Sequence, residues 1–78
     1  MTRKVSTRVA AVGLSCPLPV YKMKKALDQV RPGETVLLET DDPAVCREIR
    51  ALVRRLNLEL TDETTRDGVV HLYVQKRT

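Results

Sequence analysis

Tryptophan and phenylalanine are absent from the 78 residues, and tyrosine occurs only at Tyr21 and Tyr73. A core must therefore be aliphatic, built from Val, Leu, Ile, Ala and Met. Stacking rings are not interleaved with the basic residues, which disfavours a surface for single-stranded nucleic acid. No apolar run approaches the ~20 residues of a membrane span, so no membrane role is expected. The basic stretch Met1-Thr2-Arg3-Lys4-Val5-Ser6-Thr7-Arg8 lacks the apolar core of a signal peptide, and a cytoplasmic location is expected. Cysteine is confined to Cys16 and Cys46, fewer than a disulfide-stapled secreted domain usually carries. With His71 as the single histidine, no zinc ligand set can be assembled. No metal or cofactor is expected. The formal charge of +4 is moderate and suits an acidic partner surface or nucleic acid.

What is present is enough for one small domain, residues 1–78. At this length a single core buries roughly 60% of the chain's surface, a marginal amount. Thr7–Val12 reads as a first strand, and Gly13 ends it. A helix follows over Pro17–Val30, with Val20, Met23, Leu27 and Val30 as its apolar stripe. Lys22, Lys24, Lys25, Asp28 and Gln29 occupy its other face. Arg31-Pro32-Gly33 stops that helix. Thr35–Thr40 is rich in strand formers. Asp42 is a good N-cap and Pro43 a good first helical residue, opening a second helix that reaches about Leu56. Val45, Ile49, Leu52, Val53 and Leu56 form its apolar face, Arg47, Arg50 and Arg54 a basic stripe, and Asn57 its left-handed terminus.

Leu58–Thr64 alternates with period two, Arg66-Asp67-Gly68 supplies hairpin chemistry, and Val69–Gln75 alternates again before a basic tail, Lys76-Arg77-Thr78. The order β-α-β-α-β-β, with right-handed crossovers, puts both helices on one face of the sheet. The fold class is α/β (α+β), a two-layer sandwich. Its far sheet face is exposed, covered elsewhere, or paired with a partner. If the strands before the helices are parallel, both helix starts lie on one rim, where Cys16, Asp41-Asp42-Pro43 and Cys46 become neighbours.

The stretch Gly13-Leu14-Ser15-Cys16-Pro17-Leu18-Pro19-Val20 carries the chemistry. Proline is tolerated in the first turn of a helix. With Pro17 and Pro19 in that turn, Cys16 takes the N-cap position. Its sulfur would face free backbone N–H groups and the positive end of the helix dipole, a setting that favours thiolate. From spacing alone Cys16 is as well read as a small buried hydrophobe. The two prolines are helix starters that also fix two φ angles and hold the sulfur outward.

These residues, with Lys24-Lys25-Ala26-Leu27, Pro32-Gly33-Glu34, Asp41-Asp42-Pro43-Ala44, Arg47-Glu48-Ile49 and the closing hairpin, resemble the TusA/SirA-like sulfur carrier proteins over roughly residues 8–77. The resemblance implies two helices on one face of a four-stranded mixed sheet. It implies a carrier, rather than a stand-alone turnover enzyme, that holds sulfane sulfur as a persulfide on Cys16. Gly13, Leu14, Pro17 and Pro19 support the motif. A cysteine desulfurase or rhodanese-type protein would load it, and a cysteine of a downstream acceptor protein would unload it. End uses in the family include tRNA thiolation, molybdenum cofactor synthesis and sulfur oxidation. Ala10, Glu48-Ile49-Arg50 and Asn57 stand where many members carry an acidic residue, Asp-Ile-Pro and glycine.

Arg8, Lys22, Lys24 and Lys25 are equally a solvated face or a docking surface that helps keep sulfur anionic. Asp41 and Asp42 act oppositely on a nearby thiol, and capping is their first role. Cys46 reads as a helix-boundary residue. His71, opposite Val70, Leu72 and Val74, reads as a surface residue. Two rival functions follow from the same residues. One is a small basic nucleic-acid-binding module resting on charge. The other is a redox-regulatory interaction domain using Cys16 and Cys46 as a pair.

Overall fold

A computed structural model describes residues 5–77. Met1–Lys4 of the basic N-terminal stretch and Thr78 of the tail lie outside the described residues. The elements are β1 (Val5–Ala10), α1 (Leu18–Gln29), β2 (Thr35–Thr40), α2 (Pro43–Arg55), β3 (Leu58–Arg66) and β4 (Val69–Lys76). They form one sheet in the order β1-β2-β4-β3. β1 pairs parallel to β2, while β4 is antiparallel to both β2 and β3. β3 therefore runs parallel to β2. Both βαβ steps travel the same way across the sheet, and right-handed crossovers put α1 and α2 on one face. No helix among the described residues is long and apolar enough to cross a membrane.

The core lies between the layers. Across the two central strands Val36 faces Val74 and Leu38 faces Leu72, all four fully buried. The helices close over them with Met23, Ala26, Leu27 and Val30 from one side and Val45, Cys46, Ile49 and Leu52 from the other. Every one of these side chains is aliphatic or sulfur-bearing, as the missing rings require.

Several boundaries differ from expectation. β1 runs over Val5–Ala10 rather than Thr7–Val12, because its ladder with β2 already starts at Val5 opposite Thr35. Val12 and Gly13 form a turn instead. α1 begins at Leu18 with Pro17 at its N-cap, so Cys16 is not the cap. The first i→i+4 bond runs from the Tyr21 N–H to the Pro17 carbonyl, 3.1 Å, and the Leu18 N–H turns back to Ser15 O, 3.1 Å. That tight turn delays the helix by one residue. The buried stripe is Pro19, Met23, Ala26 and Leu27, with Val20 at its half-buried edge. On α2 Cys46 joins the core while Leu56 is exposed.

Lys76 is not part of a free basic tail. Its ammonium donates to Leu27 O at 2.9 Å and Val30 O at 3.1 Å. Those carbonyls end α1, whose last turn has no basic residue of its own, so β4 supplies the cation that the helix dipole favours there. Asn57 has φ 53°, the left-handed residue expected after α2, and Asp67-Gly68, with φ 53° and 78°, makes the tight β3–β4 turn.

Candidate functional site

Parallel pairing of β1 with β2 brings the two helix starts to one end of the sheet. The segment between β1 and α1 is anchored there by two consecutive aspartates. Asp41 Oδ1 accepts the Gly13 N–H at 3.0 Å. Asp42 Oδ2 accepts the Cys16 N–H at 3.1 Å, and its Oδ1 accepts the Ala44 N–H at 3.0 Å. Asp42 thus caps α2 and holds the cysteine backbone at once. Asp42 is itself held: its N–H donates to Thr40 Oγ1 at 3.1 Å, and Thr40 is fully buried. Gly13 turns with φ 84°, a left-handed conformation that a side chain disfavours.

Cys16 is half-buried and packs with Leu14 and Val20 against the edge of the core. Its thiol is free. Fewer free backbone donors stand at this helix start than expected. Pro17 and Pro19 bring no N–H, the Leu18 and Tyr21 N–H groups are engaged, and the Cys16 N–H is held by a carboxylate. The two prolines also part company. Pro17 is exposed, whereas Pro19 is buried and anchors α1 in the core. The Cys16–Pro17 peptide is cis.

Lys22, Lys24 and Lys25 are exposed on α1. Arg8, grouped with them by sequence, is not on that surface. It lies on the outer sheet face, where its Nε donates to Glu39 Oε1 at 2.7 Å. This bond and the opposite charge hold the Glu39 carboxyl below, and the Arg8 guanidinium above, their ordinary pKa values. His71 sits on the same outer face, half-buried, with Nε2 3.3 Å from Glu39 Oε2. Beside it a concavity of about 420 Å³ is lined by Thr64, Thr65, Arg66, His71 and Tyr73, a whole sheet away from the helix layer.

Cys46 lies in the first turn of α2, 5% exposed. Its N–H reaches the Asp42 carbonyl at 3.4 Å. Burial pushes its thiol pKa up, partly offset by Arg50. Sequence reasoning missed Thr40, which spacing hides inside a strand, and the exposed apolar side chains Val12, Leu18 and Tyr21. A helical wheel drawn through Met23 and Leu27 would have put Leu18 and Tyr21 off the buried face.

Comparison with known proteins then decides the family. The model of the family described as sulfurtransferase TusA matches residues 7–76. The chain belongs to the TusA family. A relative from Archaeoglobus fulgidus, described as "Putative sulfur carrier protein", is 38% identical over 69 residues, covering 87% of this chain and 90% of that one. The crystal structure of a SirA-like protein from Desulfitobacterium hafniense superposes with a TM-score of 0.81 at 22% identity, over 92% of this chain and 99% of that one. That structure shares the fold. The Cys16 loop, the Asp41-Asp42 anchor and both helix starts of this TusA-family chain all fall within the matched residues.

Proposed function

We propose that this TusA-family chain is a sulfur carrier whose working group is the Cys16 thiol. The supporting observation is the geometry of one residue. Cys16 is half exposed at the junction of two helix starts, on a loop tied by Asp41 and Asp42. A carrier thiol must meet a partner's sulfur and yet keep its place, and a tethered backbone with an accessible side chain meets both needs. The family match and the description of the Archaeoglobus fulgidus relative support the same reading.

The Cys16 thiolate attacks the terminal sulfur of a donor protein's persulfide. A bond forms between that sulfur and Cys16 Sγ, the donor's S–S bond breaks, and the donor cysteine leaves as thiolate. The product is Cys16–S–S⁻, or its protonated form, with no oxidant or reductant consumed. Delivery repeats the exchange in reverse sense: an acceptor thiolate takes the outer sulfur and Cys16 leaves as thiolate. A cysteine desulfurase or rhodanese-type protein is the donor class, and a protein cysteine is the acceptor. No metal or cofactor enters the step.

Intact mass after incubation with polysulfide, or with a desulfurase and cysteine, tests this. Wild type gains about one sulfur atom (~32 Da), dithiothreitol removes it, and Cys16→Ser never acquires it. Absence of the adduct from wild type with desulfurase, rhodanese and polysulfide alike overturns the proposal.

A further inference from the structure

The outer sheet face carries a polar concavity that the thiol chemistry leaves unused. It measures about 420 Å³ and is lined by Thr64, Thr65, Arg66, His71 and Tyr73. The hairpin register orders these groups. Arg66 pairs with Val69, Thr64 with His71, and Asp62 with Tyr73. Leu72 and Val74 are fully buried in the core, so their neighbours His71 and Tyr73 face outward. Rows on one face of a strand pair lie about 7 Å apart. The concavity thus runs from a guanidinium near the turn, past two hydroxyls and an imidazole, to a phenol ring.

Three observations separate this hollow from an ordinary solvated hairpin. First, the exposed Arg66 guanidinium forms no ion pair among the described residues, unlike Arg8 on the same face, which holds Glu39. Second, the carboxylates around the hollow are unevenly placed. Glu39, beside His71 on β2, is engaged by Arg8 at 2.7 Å and lies 3.3 Å from His71 Nε2. Asp62, in the Tyr73 row, accepts the Glu63 N–H at 2.8 Å. Asp67 follows Arg66 in the turn without pairing to it, and its charge opposes an anion there. Positive charge free to meet a ligand therefore stands at the Arg66 end alone. Third, His71 in the wall keeps an enclosed Nδ1 with no hydrogen-bond partner, a group that the chain leaves for a ligand or water to serve.

We infer that this concavity binds a small organic phosphate, a phosphate monoester. Arg66 presents its planar fork to the phosphate oxygens, and the Thr64 and Thr65 hydroxyls are further donors. The organic group lies toward the rings of His71 and Tyr73. Size selects a monoester over free phosphate. A hollow of about 420 Å³ falls within the roughly 300–1,000 Å³ of small-molecule sites, and a lone oxyanion at Arg66 would leave the Tyr73 end unfilled. Charge sets the orientation, because Asp62 disfavours a second anion at that end. The inference is independent of the carrier reading, since the hollow lies across the sheet from the helices whose starts flank Cys16.

Two-dimensional ¹H–¹⁵N spectra test this during titration with phenyl phosphate, inorganic phosphate and phenol. Each anion replaces chloride, so that pH and ionic strength stay constant and general screening is removed. The proteins are wild type and Arg66→Gln, and the spectra themselves report that the variant is folded. In wild type, phenyl phosphate shifts the amides of Thr64, Thr65, Arg66, His71 and Tyr73 saturably, with a dissociation constant of about 1 mM. Inorganic phosphate binds the same amides about tenfold more weakly, and phenol leaves them in place. Arg66→Gln weakens phenyl phosphate by about tenfold or more. Absence of saturable shifts at these amides, or binding by Arg66→Gln as tight as by wild type, overturns the inference. Equal affinity for inorganic phosphate overturns the assignment of an organic phosphate, and equal shifts with phenol overturn the role of the phosphate.

Discussion

The Asp42 carboxylate accepts the Cys16 N–H at 3.1 Å while capping α2 through the Ala44 N–H at 3.0 Å. Residues 26 apart in sequence are thereby fixed to one carboxylate, and the position of the thiol is coupled to the start of the other helix. Asp42→Ala loses both bonds and lowers stability by about 1–2 kcal/mol, the cost of a lost N-cap plus an unpaired part-buried N–H. Asp42→Ser keeps a capping oxygen but is too short to reach Cys16. It recovers much of the stability and leaves the cysteine loop loose. Urea unfolding reads the first effect. The rate of iodoacetamide alkylation at Cys16 reads the second, rising in both variants because the loop opens. Alkylation of Asp42→Ser at the wild-type rate would separate the aspartate from the cysteine.

Burial divides the two thiols. Cys46 is 5% exposed and its thiol is pushed up by desolvation, so it stays protonated and shielded where Cys16 is half exposed. Under native conditions one alkyl group adds, at Cys16, and a second adds at Cys46 only in denaturant, as peptide mass mapping will show. The same shift links to pH. The folded state holds the Cys46 proton more tightly than the unfolded chain. The stabilisation is therefore complete below the ordinary cysteine pKa and is lost as pH rises through the raised folded value. Cys46→Ala should lack that alkaline component. A native intramolecular disulfide between Cys16 and Cys46 would contradict this division and revive the redox reading.

Much of this architecture was legible because local chemistry agreed with the fold. β2 is found over Thr35–Thr40, as its composition predicts. Asp42-Pro43 announces the start of α2, where Asp42 caps and Pro43 sits at the first helical position. Asp67-Gly68 announces the hairpin. Errors came where a local turn or a tertiary contact outranked the pattern of spacing. Cys16 looked like a cap, yet the Ser15–Leu18 turn moves the first helical carbonyl to Pro17. Arg8 looked like a companion of the α1 lysines, yet strand alternation turns it to the outer face and Glu39, 31 residues away, takes it. Lys76 looked like a tail, yet it reaches the last carbonyls of a helix 46 to 49 residues earlier. Neither of these two long-range pairings has a spacing that a single sequence advertises.

Lys76 is therefore a stability residue far from the thiol. Its ammonium serves two carbonyls at the C-terminal end of α1, and Cys16 precedes the N-terminal end. Lys76→Met keeps the apolar stem and removes the charge-assisted donors, at a cost of about 1–3 kcal/mol. The urea midpoint falls accordingly. Loading of Cys16 by polysulfide is unchanged at temperatures where the variant remains folded. A variant of wild-type stability would show that these carbonyls are equally well served by water.

The outer-face pair gives the acid dependence a sign. The Arg8 hydrogen bond is the largest influence on Glu39 and lowers its pKa, opposed by partial burial and aided by the charges of Arg8 and His71. A carboxyl with a depressed folded pKa contributes stability that is fully present above its unfolded value and is lost as pH falls through the folded one. Wild type should thus exceed Glu39→Gln in stability by its full margin at neutral pH. The margin should shrink as the solution is taken down through the carboxylate range, and shrink also with added salt, since Arg8 is 65% exposed. Carrying both proteins in a His71→Gln background removes the imidazole, which lies 3.3 Å from the same carboxylate, and isolates the arginine's share. Urea midpoints measured at a series of pH values test this, and parallel curves for the two proteins would show that Arg8 and Glu39 are coupled too weakly to matter.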